Sequence, residues 1–160
     1  MNPVIVFFSE YLQYAVAAIV AVFLLRDCKK NLSLIAQTAG AAILSRGVFT
    51  EIIRFVWHRD RPFVEQNFIP LVPHADSASF PSGHAAFFFA IGFVLYAYNK
   101  KLGIFVLASS TLISFARVLA GLHWVSDIAG GVFIGMLSAV IVIQLMHKYG
   151  NRFIGRSPEA

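Results

Sequence analysis

Long apolar runs separated by short charged stretches set the pattern of this chain. The first run extends from about Tyr11 to Leu25 and stops at Arg26-Asp27-Cys28-Lys29-Lys30; Pro3 to Phe8 either lies at the membrane interface or extends this run past Glu10. A second run from Leu32 to Val56 carries three ionisable residues, Arg46, Glu51 and Arg54. A third spans about Gly83 to Tyr98, a fourth about Leu102 to Leu119, and a fifth about Ser126 to Met146. The length and apolar character of these runs predict an all-α, polytopic membrane protein with about five transmembrane helices in one bundle.

The ionisable residues of the second run narrow its placement. A charge at mid-bilayer costs roughly 2.5 to 3.5 kcal/mol on insertion scales, so these side chains must sit near one end or face inward. At about 100° per residue, Glu51 and Arg54 lie one turn apart and can pair, and Thr50 is one turn from both Arg46 and Arg54. Arg46 and Glu51 are expected to be a buried structural pair or to snorkel to the interface. Between the second and third runs lies the longest polar connection, from Trp57 to Phe80, which Pro62, Pro70, Pro73 and Pro81 keep from forming one regular helix. Val64 to Leu71 is expected to form a short interfacial piece.

Composition agrees with the membrane assignment. The chain of 160 residues is 58% hydrophobic and 13% charged, with 16 Phe, and its mean hydropathy is +0.72; a soluble domain is about 25% charged. The net charge of +5 is spread along the chain, which argues against a nucleic-acid partner. Basic residues at Arg26, Lys29 and Lys30, at Lys100 and Lys101, and at Lys148, Arg152 and Arg156 fall on alternate connections, so the positive-inside rule places that side in the cytoplasm. The lone Cys28 forms no intrachain disulfide, and Met1 to Glu10 has no basic region to mark a cleaved leader. A single domain over residues 1–160 is expected, with a core at 31–147 and a cytoplasmic tail at 148–160 whose last residues, from Gly150, are disordered. Gly131 and Gly135 form a small-xxx-small pair suited to a close helix contact.

Arginines on the opposite, extracytoplasmic side need another reason, and binding an anion supplies one. Phe80-Pro81-Ser82-Gly83-His84 reads as a helix start with Ser82 as its cap, and unpaired N–H groups in its first turn suit a phosphate, with His84 beside them. His123 and Asp127 are four apart, so one helical face can hold the carboxylate against one ring nitrogen while the other addresses a substrate. Arg117 reaches the same place only if the chain turns between them, and Gly121 permits that turn.

Arg54, six residues, Arg61-Pro62; Pro81-Ser82-Gly83-His84; and Arg117, five residues, His123, three residues, Asp127 together resemble the three-part signature of the type 2 phosphatidic acid phosphatase superfamily. The resemblance implies a membrane enzyme that removes phosphate from lipid phosphates or diphosphates with no metal and no cofactor. It implies that His123 attacks phosphorus, Asp127 supports it and His84 protonates the leaving oxygen, while Arg54, Arg61, Arg117, Ser82 and Gly83 hold the phosphoryl oxygens. Two positions depart from the pattern: Arg54 stands where Lys is usual, and Ala116 where Ser is usual.

The compact chain is most similar to the bacitracin-resistance type of undecaprenyl diphosphate phosphatase. That implies a bacterial inner-membrane location, a site on the extracytoplasmic side and a lipid diphosphate substrate among membrane lipids. Alternatives are a phosphatidylglycerophosphate or phosphatidic acid phosphatase, a non-catalytic lipid-phosphate binder, and a metal site using His58, His74, Asp76 and His84. Phe63, Phe68, Ile69, Leu71 and Val72 either line the lipid entry or dip into the interface.

Overall fold

A computed structural model describes residues 2–153. These form six helices: α1 (Pro3–Arg26), α2 (Leu32–Val56), the short α3 (Pro62–Glu65), α4 (Gly83–Tyr98), α5 (Lys100–Leu119) and α6 (Val125–Phe153). Among the described residues there is no strand. Four helices are long and apolar enough to cross a membrane. At about 1.5 Å per residue the 16 residues of α4 reach only about 24 Å, short of a ~30 Å hydrocarbon core. The protein is a polytopic helical membrane protein.

Local chemistry explains the helix limits. Asn31 Nδ2 donates to the carbonyls of Phe23 and Leu24 at 3.4 and 3.2 Å, satisfying the end of α1. Asn99 Oδ1 accepts from Leu102 N–H at 3.1 Å and caps α5. Asn67, with φ of 51°, turns the chain after α3, so the expected piece from Val64 to Leu71 is instead the four residues Pro62–Glu65. Pro3 to Phe8 extends α1 and does not lie apart from it.

At its carboxyl end α6 continues through Phe153. The segment expected to be a tail from 148 is therefore helical to that point. Residues 154–160 lie outside the described residues.

The most deeply packed helix is α4, set against α2, α5 and α6. Its buried Ala85, Ala86 and Ala90 let backbones approach, and Phe88, Ile91, Val94 and Leu95 meet Val16 and Val20 of α1, Ala41 of α2, Val106 and Ile113 of α5 and Ala139 of α6. Along α6, a Cβ at Gly131 would lie 2.7 Å from Ser82 O, and one at Gly135 would lie 2.8 Å from Ala86 O. The small-xxx-small pair is thus a direct backbone contact with α4.

A π-helical stretch, Ile43–Phe49, interrupts α2. Its wider turn places residues five apart on one face, so Arg46 pairs with Glu51. The Glu51–Arg54 pair that the spacing allowed does not form, because Glu51 is taken by Arg46 and Arg54 turns to the Pro81 carbonyl. Nor is the Arg46–Glu51 pair buried: the side chains are 43% and 52% exposed. Thr50 instead donates to Ser45 O at 2.8 Å.

Candidate active site

The expected site residues gather where the ends of α2 and α5 meet the starts of α4 and α6. Ser82, fully buried, caps α4 by accepting from Ala85 N–H at 3.4 Å. Its own N–H donates to the Asp127 carbonyl at 2.9 Å, tying the start of α4 to the start of α6. From the end of α2, Arg54 donates through Nε and Nη2 to the Pro81 carbonyl at 3.3 and 3.0 Å. The first turn of α4, with Gly83 and His84, is therefore held from both sides.

Arg61 is 1% exposed. It donates to Ser77 O and Leu122 O at 2.9 Å, to Ser77 Oγ at 3.2 Å, and stands with Nη1 3.4 Å from His123 Nε2. Burial, then the charges of Arg54 and Arg117, lowers its pKa to about 10, which leaves it cationic at neutral pH.

Gly121, at φ +77°, makes the turn that brings His123 back toward Arg117. His123 and Asp127 are both buried, with Nδ1 3.5 Å from Oδ2. Asp127 is crowded with donors: Ser79 Oγ at 2.5 Å, Trp124 N–H at 2.8 Å and Arg59 Nη1 at 3.0 Å. Ser79 Oγ lies 3.5 Å from His123 Nδ1 and bridges ring and carboxylate. With Nδ1 directed at these acceptors, the Nε2 lone pair faces Arg61.

Burial pushes His123 down to about 4, with Arg61 and Arg117 adding to the effect and the hydrogen-bonded Asp127 opposing it. The ring is neutral at pH 7. In 15N-labelled protein, its nitrogens are expected to report neutral imidazole at pH 6 and to titrate near pH 4; a midpoint near the ordinary 6.5 would contradict this.

Arg117, 1% exposed, donates through Nη1 to Ser9 O and to Glu10 Oε1, both at 3.1 Å. Its buried Nε has no partner among the described residues. An unpaired buried guanidinium N–H is costly, and an anion in the site would satisfy it. His84 opens on a cavity of about 390 Å³ with Gln13, Tyr14, Arg46 and Gly83. His123 opens on another of about 490 Å³ beside Phe68, Ile69 and Trp124.

Three residues of this arrangement had no place in the sequence reading. Ser79 and Arg59 contact Asp127 from 48 and 68 positions away, and no spacing announces such contacts. Glu10 did carry a signal, being a lone acid inside an apolar run. Of the five apolar loop residues expected at a lipid entry, Val72 is buried against Ala120 and Leu122, with Phe63 and Leu71 packed on that cluster. Ile69 is 93% exposed.

Comparison with known proteins places this geometry. The chain is 31% identical over 149 residues, 92% of its length and 73% of the relative's, to the bacitracin transport permease protein BcrC of Bacillus licheniformis. It is 29% identical over 94% of its length, and 76% of the relative's, to the undecaprenyl-diphosphatase BcrC of Bacillus subtilis. Among solved structures, Aquifex aeolicus LpxE superimposes with a TM-score of 0.73 at 23% identity, covering 90% of this chain and 87% of that one, a likeness of fold. The PAP2-type phosphatidylglycerolphosphate phosphatase of Bacillus subtilis gives 0.51 at 26% identity, covering 91% and 68%. The PAP2 superfamily profile matches residues 35–151, most of the chain, and the protein belongs to the PAP2 superfamily.

Proposed function

We propose that this protein is a metal-independent phosphatase that hydrolyses undecaprenyl diphosphate to the monophosphate, acting as one domain over residues 1–160. The observation that carries the reading is the Ser82 N–H to Asp127 O bond, which joins the start of α4 to the His123–Asp127 pair. The Bacillus subtilis relative named undecaprenyl-diphosphatase BcrC supports the choice of lipid.

His123 Nε2 attacks the terminal phosphorus, the P–O bond to the bridging oxygen breaks, and His84 gives that oxygen a proton. Asp127 stabilises the charge left on the ring. Water then attacks the phosphorus and loses a proton to His84 while the phosphorus–nitrogen bond breaks, which releases inorganic phosphate and free His123. Arg54, Arg61 and Arg117, with Ser82 and the Gly83 N–H, hold the phosphoryl oxygens. Phosphoryl transfer asks mainly for positioning and charge stabilisation, which guanidiniums at a helix N-terminus provide. The basic stretches at Arg26–Lys30 and Lys100–Lys101 support a site facing away from the cytoplasm of a bacterial inner membrane.

The test is phosphate release by purified protein in detergent with EDTA, comparing undecaprenyl diphosphate, phosphatidylglycerophosphate and phosphatidic acid. Fastest release from the diphosphate, unaffected by EDTA, is expected. Loss of activity with EDTA would overturn the metal-free mechanism, and preference for a monoester would overturn the substrate. Spheroplasts should hydrolyse externally added farnesyl diphosphate; hydrolysis only after lysis would place the site on the other face.

A further inference from the structure

We propose that Arg46 binds the second phosphate of a diphosphate substrate, the one that departs with the lipid; this rests on the reading above. In-line displacement puts the leaving oxygen opposite the attacking His123 Nε2, on the side of the proton donor His84. His84 lines the cavity of about 390 Å³ whose other polar walls are Arg46, Gln13 and Tyr14. A leaving phosphate protonated by His84 would lie in this cavity.

Arg46 is built into that position by two features. The π-helical stretch Ile43–Phe49 turns it to the face of α2 that meets α4. The bare Gly83 then lets it lie on the first turn of α4: a Cβ there would stand 2.5 Å from Arg46 Nε and 3.2 Å from Cζ. Glu51 engages only Nη1, the one hydrogen bond of this side chain among the described residues. Other N–H donors remain for a ligand.

The cavity also suits the rest of the leaving group. A second cavity of about 410 Å³ shares Ala17, Phe87 and Phe88 with the first and runs on between α1 and α2 past Val20, Leu24 and Ile35. An isoprenyl phosphate fits this order of surfaces, with its phosphate at Arg46 and its chain in the apolar part. As the bridging bond breaks, charge accumulates on the leaving phosphate, so Arg46 acts on turnover as well as on binding. A monoester has no phosphate at this place.

The experiment compares wild type, R46Q and R46K on farnesyl diphosphate and on phosphatidic acid, with thermal melts to check folding. R46Q is expected to lower kcat/KM on the diphosphate about 100-fold, as for loss of a charge-assisted contact in the transition state. On the monoester the loss should be at least tenfold smaller. R46K should recover part of the diphosphate rate. Inhibition by farnesyl monophosphate should weaken in R46Q, whereas inhibition by inorganic phosphate should change less.

Equal losses on both substrates, or none, would overturn the assignment. Should R46Q not fold, R46K decides: an unchanged diphosphate-to-monoester ratio refutes the proposal, and a lowered ratio upholds it. Wild type that leaves the diphosphate uncut would refute the function proposed above instead.

Discussion

His123→Ala is expected to lower turnover by about four orders of magnitude or more, the scale seen when a covalent nucleophile is removed. The reason lies in how much of the site converges on one nitrogen. Nε2 stands 3.4 Å from Arg61, which is itself locked to Ser77 and Leu122, so the reacting group would meet a nucleophile whose position is over-determined. Alanine leaves the guanidiniums and the α4 helix start in place. Phosphate binding should therefore persist while transfer stops. Rapid quench with 32P-labelled substrate should trap an acid-labile, base-stable phosphoprotein in the wild type and none in the variant. A variant that kept most of its rate would remove His123 from the mechanism.

Gly131→Val should cost about 3 kcal/mol of stability or more, the upper range for overpacking a well-filled contact. The Cβ would meet Ser82 O and Ala85 Cβ at 2.7 Å and Ala86 N at 3.0 Å. Two of those atoms are backbone and cannot swing aside. The helices must separate, and that breaks the Ser82 N–H to Asp127 O bond on which the two halves of the site depend. Activity should fall about 100-fold in whatever fraction still folds, since misplacement by 1 Å is enough for that. Gly47→Ala is the control, because a Cβ there meets only Ile43 Cγ2 at 3.9 Å. Melting in detergent compares the two; equal melting temperatures would show that α4 and α6 can part without penalty.

Both predictions involve residues visible from local rules, yet their strength comes from contacts that local rules do not reach. Ser82 could be named as a cap because a Ser before Gly83 and an apolar run has a local meaning, and Gly121 as a turn because only a glycine adopts its φ readily. Asp127 could be paired with His123 by spacing. That Asp127 would also gather Ser79 and Arg59 could not be read from spacing. The same limit explains Arg117, expected at the phosphate but also held by Ser9 and Glu10 across 108 and 107 positions.

What the sequence by itself determined is the material set by short-range physics: five apolar helices, their charged ends, the cap at Ser82 and the turn at Gly121. Long apolar runs must satisfy their backbone inside the helix, wherever the neighbours lie. The folded structure decided the remaining partners of the charges. Arg46 went to Glu51 because a π-helical stretch altered the register of α2, and Arg54 went to the Pro81 carbonyl because α4 begins beside the end of α2. In a low-dielectric setting an ion must find a partner, but which one is settled by where the helices bring their ends together.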